Sequence, residues 1–129
     1  MYYLDKSGRP ITFIDLFAGA GGLSEGFVSS GFKPIAHVEM NRHACDTLQT
    51  RGCYHWLRDN DEVALYNKYL KGAINREQLY QDMPGEILDS VICEEMSSAT
   101  MPGIFQKIDK SIEVSGTDHV DLIIGGPPC

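Results

Sequence analysis

The sequence predicts an α/β fold with parallel strands, and three observations lead to that prediction. Short runs of apolar, β-branched residues alternate with helical patterns along the chain. One glycine-rich turn follows the first of these runs, and a second follows the last. Hydrophobic residues make up 43% of the 129 residues, which is enough to form the core of one domain.

The first fifty residues predict a strand–helix–strand–helix unit. Its predicted elements are a strand over 11–17, a helix over 23–30, a strand over 33–38 and a helix over 42–51. Gly31 suits the position after the first helix, and Asn41 is a plausible N-cap for the second. The first strand is rich in β-branched and aromatic residues, as is typical of a strand buried on both faces of a parallel sheet. A unit of this order predicts a right-handed crossover.

Residues 58–86 interrupt this alternation and are predicted to be a helical insertion. The acidic residues Asp59, Asp61 and Glu62 are interpreted as the start of one helix. Asn75 and Gln78 have the spacing of a capping box, which predicts a second, short helix ending before Pro84. The remaining predicted elements are a strand over 91–93, a helix over 102–115 and a buried strand over 120–124.

Charge and composition limit the possible functions. The net charge is −7, whereas a domain that binds DNA by itself is usually basic. No apolar stretch is long enough for a transmembrane helix and no secretory signal is visible, so we expect a cytoplasmic protein without membrane contact. The four cysteines include no C-x-x-C pair, which favours free thiols. The spacing of His43, Cys45, Cys53 and His55 does not favour a metal site.

The first candidate site is the turn over 17–22, FAGAGG, set between a predicted strand and helix. Glycines let a ligand approach the main chain, and Glu39 ends the next strand, where an acid can accept hydrogen bonds from a ribose. Ser24 stands where a dinucleotide fingerprint has its third glycine, and Glu25 would repel a phosphate. The pattern therefore favours a nucleoside without phosphates. A tight turn with no ligand is the alternative.

The second candidate site is the segment over 125–129, GGPPC, which directly follows the last predicted strand. Ligands of open α/β sheets bind beyond the carboxyl ends of the strands, so both turns should face one crevice. Two prolines would hold Cys129 on a rigid turn, which makes it a candidate nucleophile. A buried structural cysteine is the alternative.

Taken together, the segment IDLFAGAGG over 14–22, Glu39 and the segment GPPC over 126–129 resemble the cytosine-5 DNA methyltransferases. The resemblance extends from residue 11 onward, apart from the insertion over 58–86. It implies a Rossmann-like, S-adenosylmethionine-dependent methyltransferase fold: the first half of a doubly wound, mostly parallel sheet with a helical insertion. It also implies methyl transfer from S-adenosylmethionine to carbon 5 of cytosine in DNA, with S-adenosylhomocysteine as the product.

The resemblance further implies roles for individual residues. Cys129 would be the nucleophile that adds to carbon 6 of cytosine. Glu39 would accept hydrogen bonds from the ribose of the cofactor, and an acid after the third strand would accept one from the adenine amino group. Glu95 is preferred over Glu94 for that acid, because an apolar residue follows it. The other residues expected at the cofactor are Phe17 and Met40 against the adenine, the backbone of Ala18, Gly19, Ala20 and Gly22 around the amino-acid end, and Met96 and Pro128 nearby.

The motifs expected after Cys129 in this family are absent from the sequence. Residues 1–129 are therefore expected to be the N-terminal part of a catalytic domain of restriction-modification type, without its target-recognition domain. Double-stranded DNA would be held mainly by the missing part, and the exposed sheet edge would permit self-association. Two alternatives stay open: a tRNA cytosine-5 methyltransferase with the same motifs, and a non-catalytic S-adenosylmethionine-binding module.

We expect the 129-residue chain alone to be unable to methylate DNA, because the groups that handle the cytosine ring are not among its residues. Incubation with a cytosine-containing duplex and S-adenosylmethionine labelled on its methyl group should leave the DNA unlabelled. Label on carbon 5 of cytosine above the level of a no-protein control would contradict this expectation.

Overall fold

A computed structural model of the chain describes residues 2–127. Four parallel strands form one sheet in the order β3-β2-β1-β4, which confirms the predicted α/β class. The strands are β1 (Thr12–Leu16), β2 (Lys33–Glu39), β3 (Val91–Cys93) and β4 (Leu122–Gly125). The helices are α1 (Gly22–Ser29), α2 (Arg42–Asp59), α3 (Val63–Leu70), α4 (Arg76–Gln81), α5 (Gly85–Asp89) and α6 (Met101–Ser115).

Apolar side chains of the sheet pack against helices to form the core. One buried cluster joins β1, β2 and β3 to α6 and consists of Ile14, Ile35, Ala36, Val38, Ile92 and Ile104. Ile108 and Ile112 of α6 pack against it, which confirms the apolar stripe expected on that helix. A second cluster joins the segment after β1 to α2 and β3 and consists of Ala18, Cys45, Leu48 and Val91.

The last strand differs from its prediction in position and burial. It was expected over 120–124 as a buried strand, but β4 begins two residues later and is largely exposed. Ile123 keeps 69% of its surface exposed. The physical reason is that β4 pairs only with β1 among residues 2–127, so it lies at an edge of the sheet. A Cβ at Gly125 would collide with the carbonyl oxygen of Leu16, so this close pairing needs glycine.

Helix α2 is longer than predicted. It was expected to end at Arg51 but continues to Asp59, for 18 residues in total. Cys53 and Leu57 are fully buried against the side chains of the segment that follows, and this packing outweighs the low helix propensity of Gly52. Asp59 therefore ends α2, whereas Glu62 is the N-cap of α3, so the interpretation of the acidic cluster as a helix start is wrong for Asp59 and correct for Glu62.

Local signals at the helix ends agree with the structure in most places. The Asn41 side chain accepts a hydrogen bond from the Ala44 N–H at 3.0 Å and caps α2. Asn75 and Gln78 form the predicted capping box, with two reciprocal bonds of 2.8 Å. Helix α5 was missed, because Pro84 was interpreted only as a stop. Proline is also compatible with the start of a helix, and here it precedes the first turn of α5.

We expect Leu79→Ala to lower the free energy of unfolding by about 2–5 kcal/mol, the usual cost of a cavity at a buried leucine. Leu79 is fully buried where α4 packs on α2. Leu70→Ala is the matched control, because Leu70 lies in the same segment and is 64% exposed. Urea denaturation of both variants measures the difference. Equal losses would contradict the packing described for α4.

Candidate functional site

The carboxyl ends of β1, β2 and β3 bring most of the predicted site residues to one edge of the sheet. Val38 of β2 is paired with Leu16, the last residue of β1, and Glu39 is paired with Cys93, the last residue of β3. The glycine-rich turn therefore begins beside Glu39. The segment over 94–96 begins on the other side of Glu39, whose carbonyl oxygen accepts the Glu94 N–H at 3.0 Å.

The glycine-rich turn has an unusual backbone. Phe17, Gly19 and Gly21 all have positive φ angles, of 56°, 57° and 92°. A Cβ at Gly19 would meet no atom within 4 Å, so it is the backbone conformation and not lack of space that calls for glycine there. Phe17 adopts the same left-handed region without that freedom, and its ring is 39% exposed at the edge.

Glu39 holds this turn in place. Its carboxylate accepts a hydrogen bond from the Gly19 N–H at 3.0 Å through one oxygen and from the Asn41 N–H at 2.7 Å through the other. One side chain thus ties the glycine-rich turn to the start of α2. A carboxylate has about four acceptor positions, so both oxygens retain capacity for a further donor.

Asp15 is a site residue to which sequence reasoning assigned no role. It lies in β1, is 1% exposed, and neither carboxylate oxygen has a hydrogen-bond partner within the described residues. Burial, together with the negative charge of Glu39, raises its pKa to about 6. The available signal was a charged residue inside an otherwise apolar strand, which is costly unless something compensates it.

The two candidate acids after β3 have different surroundings. Glu94 is half-buried and forms an ion pair with Lys107 at 3.0 Å. Glu95 is exposed, and its carboxylate has no bonding partner among residues 2–127. Met96 is half-buried and packs against the apolar cluster that includes Ile104 of α6, so it anchors the segment over 94–96 to the core. Of the two acids, Glu95 has the carboxylate that is available to a ligand.

The other predicted contacts divide into exposed and buried groups. Met40 is 66% exposed, and Ala20 and Gly22 are exposed on the turn. Ala18 is 7% exposed and packs with Leu48, so its side chain belongs to the core. Pro128 and Cys129 lie outside the described residues.

A cavity of about 670 Å³ lies between α1 and α2 and toward the amino ends of β2 and β3, and Gly21 of the glycine-rich turn also lines it. Ser24 pairs with His37 there at 2.6 Å, and burial lowers the pKa of His37 to about 4. Glu25 pairs with His55 at 2.9 Å and Arg51 at 3.4 Å. Glu39 and Phe17 do not line this cavity. The Glu25 ion pairs bridge α1 and α2, and the buried Nδ1 of His55 has no hydrogen-bond partner within residues 2–127.

Two kinds of feature are not found in the described part of the chain. Residues 2–127 hold no cluster of three or more His, Cys, Asp or Glu side chains placed to share a metal ion. Within the same residues, no helix combines the length and apolar character needed to cross a membrane.

Several curated proteins are similar to this chain. The type II methyltransferase M.Bpa9945I of Bacillus paralicheniformis is 38% identical over 134 residues, covering 90% of the chain and 30% of that protein. M1.HphI of Haemophilus parahaemolyticus is 38% identical over 119 residues, covering 92% of the chain and 21% of that protein. The putative type II methyltransferase M.MjaORF1200P of Methanocaldococcus jannaschii is 32% identical, with coverage of 92% and 35%.

The chain thus spans 21% to 35% of the length of these three relatives. No solved structure matches it at a comparable level. The model of the family described as C-5 cytosine-specific DNA methylase matches residues 11–83, which is more than half of the chain and includes the glycine-rich turn and Glu39. The chain therefore belongs to the C-5 cytosine-specific DNA methylase family.

Proposed function

We propose that residues 1–129 form the S-adenosylmethionine-binding part of a DNA cytosine-5 methyltransferase of a restriction-modification system. The observation that carries this proposal is the carboxylate of Glu39, which fixes the glycine-rich turn at the carboxyl edge of the sheet and retains acceptor capacity. Family membership supports the reaction, and the relatives named above are type II methyltransferases.

The charges at the edge favour a cationic ligand without phosphates. Asp15, Glu39 and Glu95 carry carboxylates that no basic side chain pairs with in residues 2–127. A pyrophosphate brought to this edge would meet three negative charges. S-adenosylmethionine carries a positive sulfonium and a positive ammonium group, and Asp15 is a buried carboxylate that lacks a partner. The residues present therefore fit this cofactor, and Asp15 would face one of its cationic groups.

The apolar and polar groups of the edge suit the adenosine part. Phe17 and Met40 expose apolar surface that a purine can cover. Glu95 would accept a hydrogen bond from the adenine amino group, and Glu39 would accept from the ribose hydroxyls. The turn over 18–22 would leave its main chain open to the amino-acid end, since Ala20 and Gly22 are exposed.

The proposed chemistry at the base belongs to Cys129. Its thiolate would add to carbon 6 of a cytosine flipped out of the duplex, which makes carbon 5 nucleophilic. When bound, the cofactor supplies a methyl group on a sulfonium, which is open to attack by that carbon. Loss of the proton on carbon 5 then re-forms the C5–C6 double bond and breaks the bond from carbon 6 to sulfur, so Cys129 would leave as the thiolate.

DNA is preferred over tRNA as the substrate because the family description and the relatives' names refer to DNA methylases and type II methyltransferases. With a net charge of −7, these 129 residues are not expected to hold a duplex by themselves. We therefore assign them the cofactor and the proposed nucleophile, and not the principal contacts with the DNA backbone.

We expect Glu39→Gln to weaken binding of S-adenosylhomocysteine by roughly tenfold or more, the effect of losing charge-assisted hydrogen bonds. Isothermal titration calorimetry of the 129-residue chain measures this. Glu113→Gln is the matched control, because Glu113 is an exposed carboxylate on α6 whose one ion-pair partner within residues 2–127 is Lys110. The proposal would be wrong if the unaltered chain bound no cofactor, or if the two variants bound it equally well.

Asp15→Asn is expected to stabilise the protein at pH 7.5 while weakening cofactor binding. The pKa of Asp15 is about 6 in the folded protein, above the ordinary 3.8, so its stabilising contribution is fully present below pH 3.8 and is lost as the pH rises through 6. Removal of the charge should raise the free energy of unfolding by about 3 kcal/mol at pH 7.5, a gain that shrinks toward pH 4.

The binding part of this experiment compares S-adenosylmethionine with S-adenosylhomocysteine, which lacks the sulfonium charge. A larger loss of affinity for the former would place Asp15 near the sulfonium. Similar losses for both would place it near the ammonium group. Unchanged affinity for both, together with the gain in stability, would contradict a role for Asp15 at the cofactor.

A further inference from the structure

Two cysteine side chains pack in the same apolar cluster next to the candidate site. Cys45 lies in the first turns of α2, and Cys93 is the last residue of β3. Both belong to the apolar cluster that includes Ala18 and Val91. Cys45 is 1% exposed, whereas Cys93 is half-buried, so only one of the two thiols is accessible to a small solute.

Both cysteines are tied to the backbone of Glu39. The Cys45 thiol donates a hydrogen bond to the Glu39 carbonyl oxygen at 3.3 Å, and Cys93 is the register partner of Glu39 across the sheet. Burial, followed by hydrogen bonding to the Cys93 thiol, raises the pKa of Cys45 to about 12. The two cysteines thus pack in one apolar cluster, beside the strand end that carries the Glu39 carboxylate.

We propose that Cys45 and Cys93 form an oxidation site, in which a peroxide converts the two thiols into a disulfide. The second part of the proposal is that this disulfide weakens cofactor binding, and only this part rests on the proposed function. Both parts concern residues other than Cys129.

The reaction balances with one peroxide. The more accessible Cys93 sulfur attacks hydrogen peroxide, so that an S–O bond forms, the O–O bond breaks and water leaves. The Cys45 sulfur then attacks the resulting sulfenic acid, the S–O bond breaks as the S–S bond forms, and the Cys45 proton leaves with the oxygen as a second water. The two thiols lose two electrons, and the peroxide is reduced to two waters.

The disulfide would act on Glu39 through its main chain. Once Cys45 has no S–H, the Glu39 carbonyl loses one of its two donors and keeps only the Glu94 N–H. The disulfide would also join the first turn of α2 covalently to the end of β3, and both of these segments neighbour Glu39. The end of β2 would therefore change its surroundings, and this strand end carries the Glu39 carboxylate that holds the glycine-rich turn.

Cys53 provides an internal comparison. It is also fully buried in α2, but its neighbours Leu57, Leu79 and Met83 offer no second thiol. Burial alone therefore predicts that Cys45 and Cys53 respond alike, whereas contact with Cys93 predicts that only Cys45 is oxidised.

The test uses the full chain with Cys129→Ser, so that three thiols remain. After treatment with hydrogen peroxide, unreacted thiols are blocked and the protein is digested with trypsin without reduction. Arg51 separates Cys45 from Cys53, so the peptides 43–51, 52–58 and 77–107 each contain one cysteine. We expect 43–51 to be joined to 77–107 with the loss of two hydrogens, and 52–58 to remain unlinked. Cys53→Ala should leave this link unchanged, and Cys93→Ala should abolish it.

A link that involves Cys53, or oxidation of Cys93 to its sulfinic acid with Cys45 still reduced, would overturn the proposal.

Calorimetry tests the second part: oxidation should weaken binding of S-adenosylhomocysteine roughly three- to tenfold, the size of one lost hydrogen bond. Reduction should restore it, and Cys93→Ala should prevent the change. Equal affinity of the oxidised and reduced protein would overturn this second part alone. Failure of the reduced protein to bind would instead contradict the proposed function and leave the mapped disulfide as the separate result.

Discussion

The carboxylate of Glu39 is the interaction on which the rest of the site depends. Through two hydrogen bonds it joins the turn after β1 to the residue that caps α2, and its own backbone joins β2 to β3. One residue therefore positions three chain segments, two through its carboxylate and the third through its backbone. Because both partners are main-chain N–H groups, any change in its charge or length alters the turn and the helix start together.

Asp15 differs from Glu39 because its carboxylate opposes folding instead of holding parts of the structure together. A buried carboxylate with no hydrogen-bond partner costs more folding free energy than an apolar or amide residue would at the same place. Its strand is otherwise filled by side chains suited to a buried parallel sheet, such as Phe13 and Ile14. A residue that opposes folding in this way is expected at a binding site, where a ligand of opposite charge compensates it.

Much of the fold could be predicted because local and tertiary signals agree in the first fifty residues. The strand before the glycine-rich turn, the Asn41 cap and the stripe on α6 all appear as expected. The errors arose where distant packing decides the outcome. Helix α2 continues through Gly52 because residues of the segment over 65–88 cover its far end, and β4 is exposed because it lies at the edge of the sheet and pairs with β1.

Only part of the candidate site could be predicted, because its other part also depends on distant packing. Glycine spacing and the acid at residue 39 are visible in sequence, since they depend on short-range geometry. That Glu94 is engaged by Lys107 while Glu95 is not could only come from the packing of α6 against the sheet. The packing of Cys45 and Cys93 in one cluster likewise depends on how α2 lies on β3, and their spacing in the sequence does not predict it.

The length of α2 has a mechanical consequence. Eighteen residues at about 1.5 Å each form a rigid rod of roughly 27 Å. One end begins beside Glu39, and the other is enclosed by α3 and α4 through Cys53 and Leu57. A tilt imposed on the insertion is therefore transmitted along the rod to the residues around Asn41. Sequence changes far from the carboxyl edge of the sheet can in this way tune the geometry of that edge without touching it.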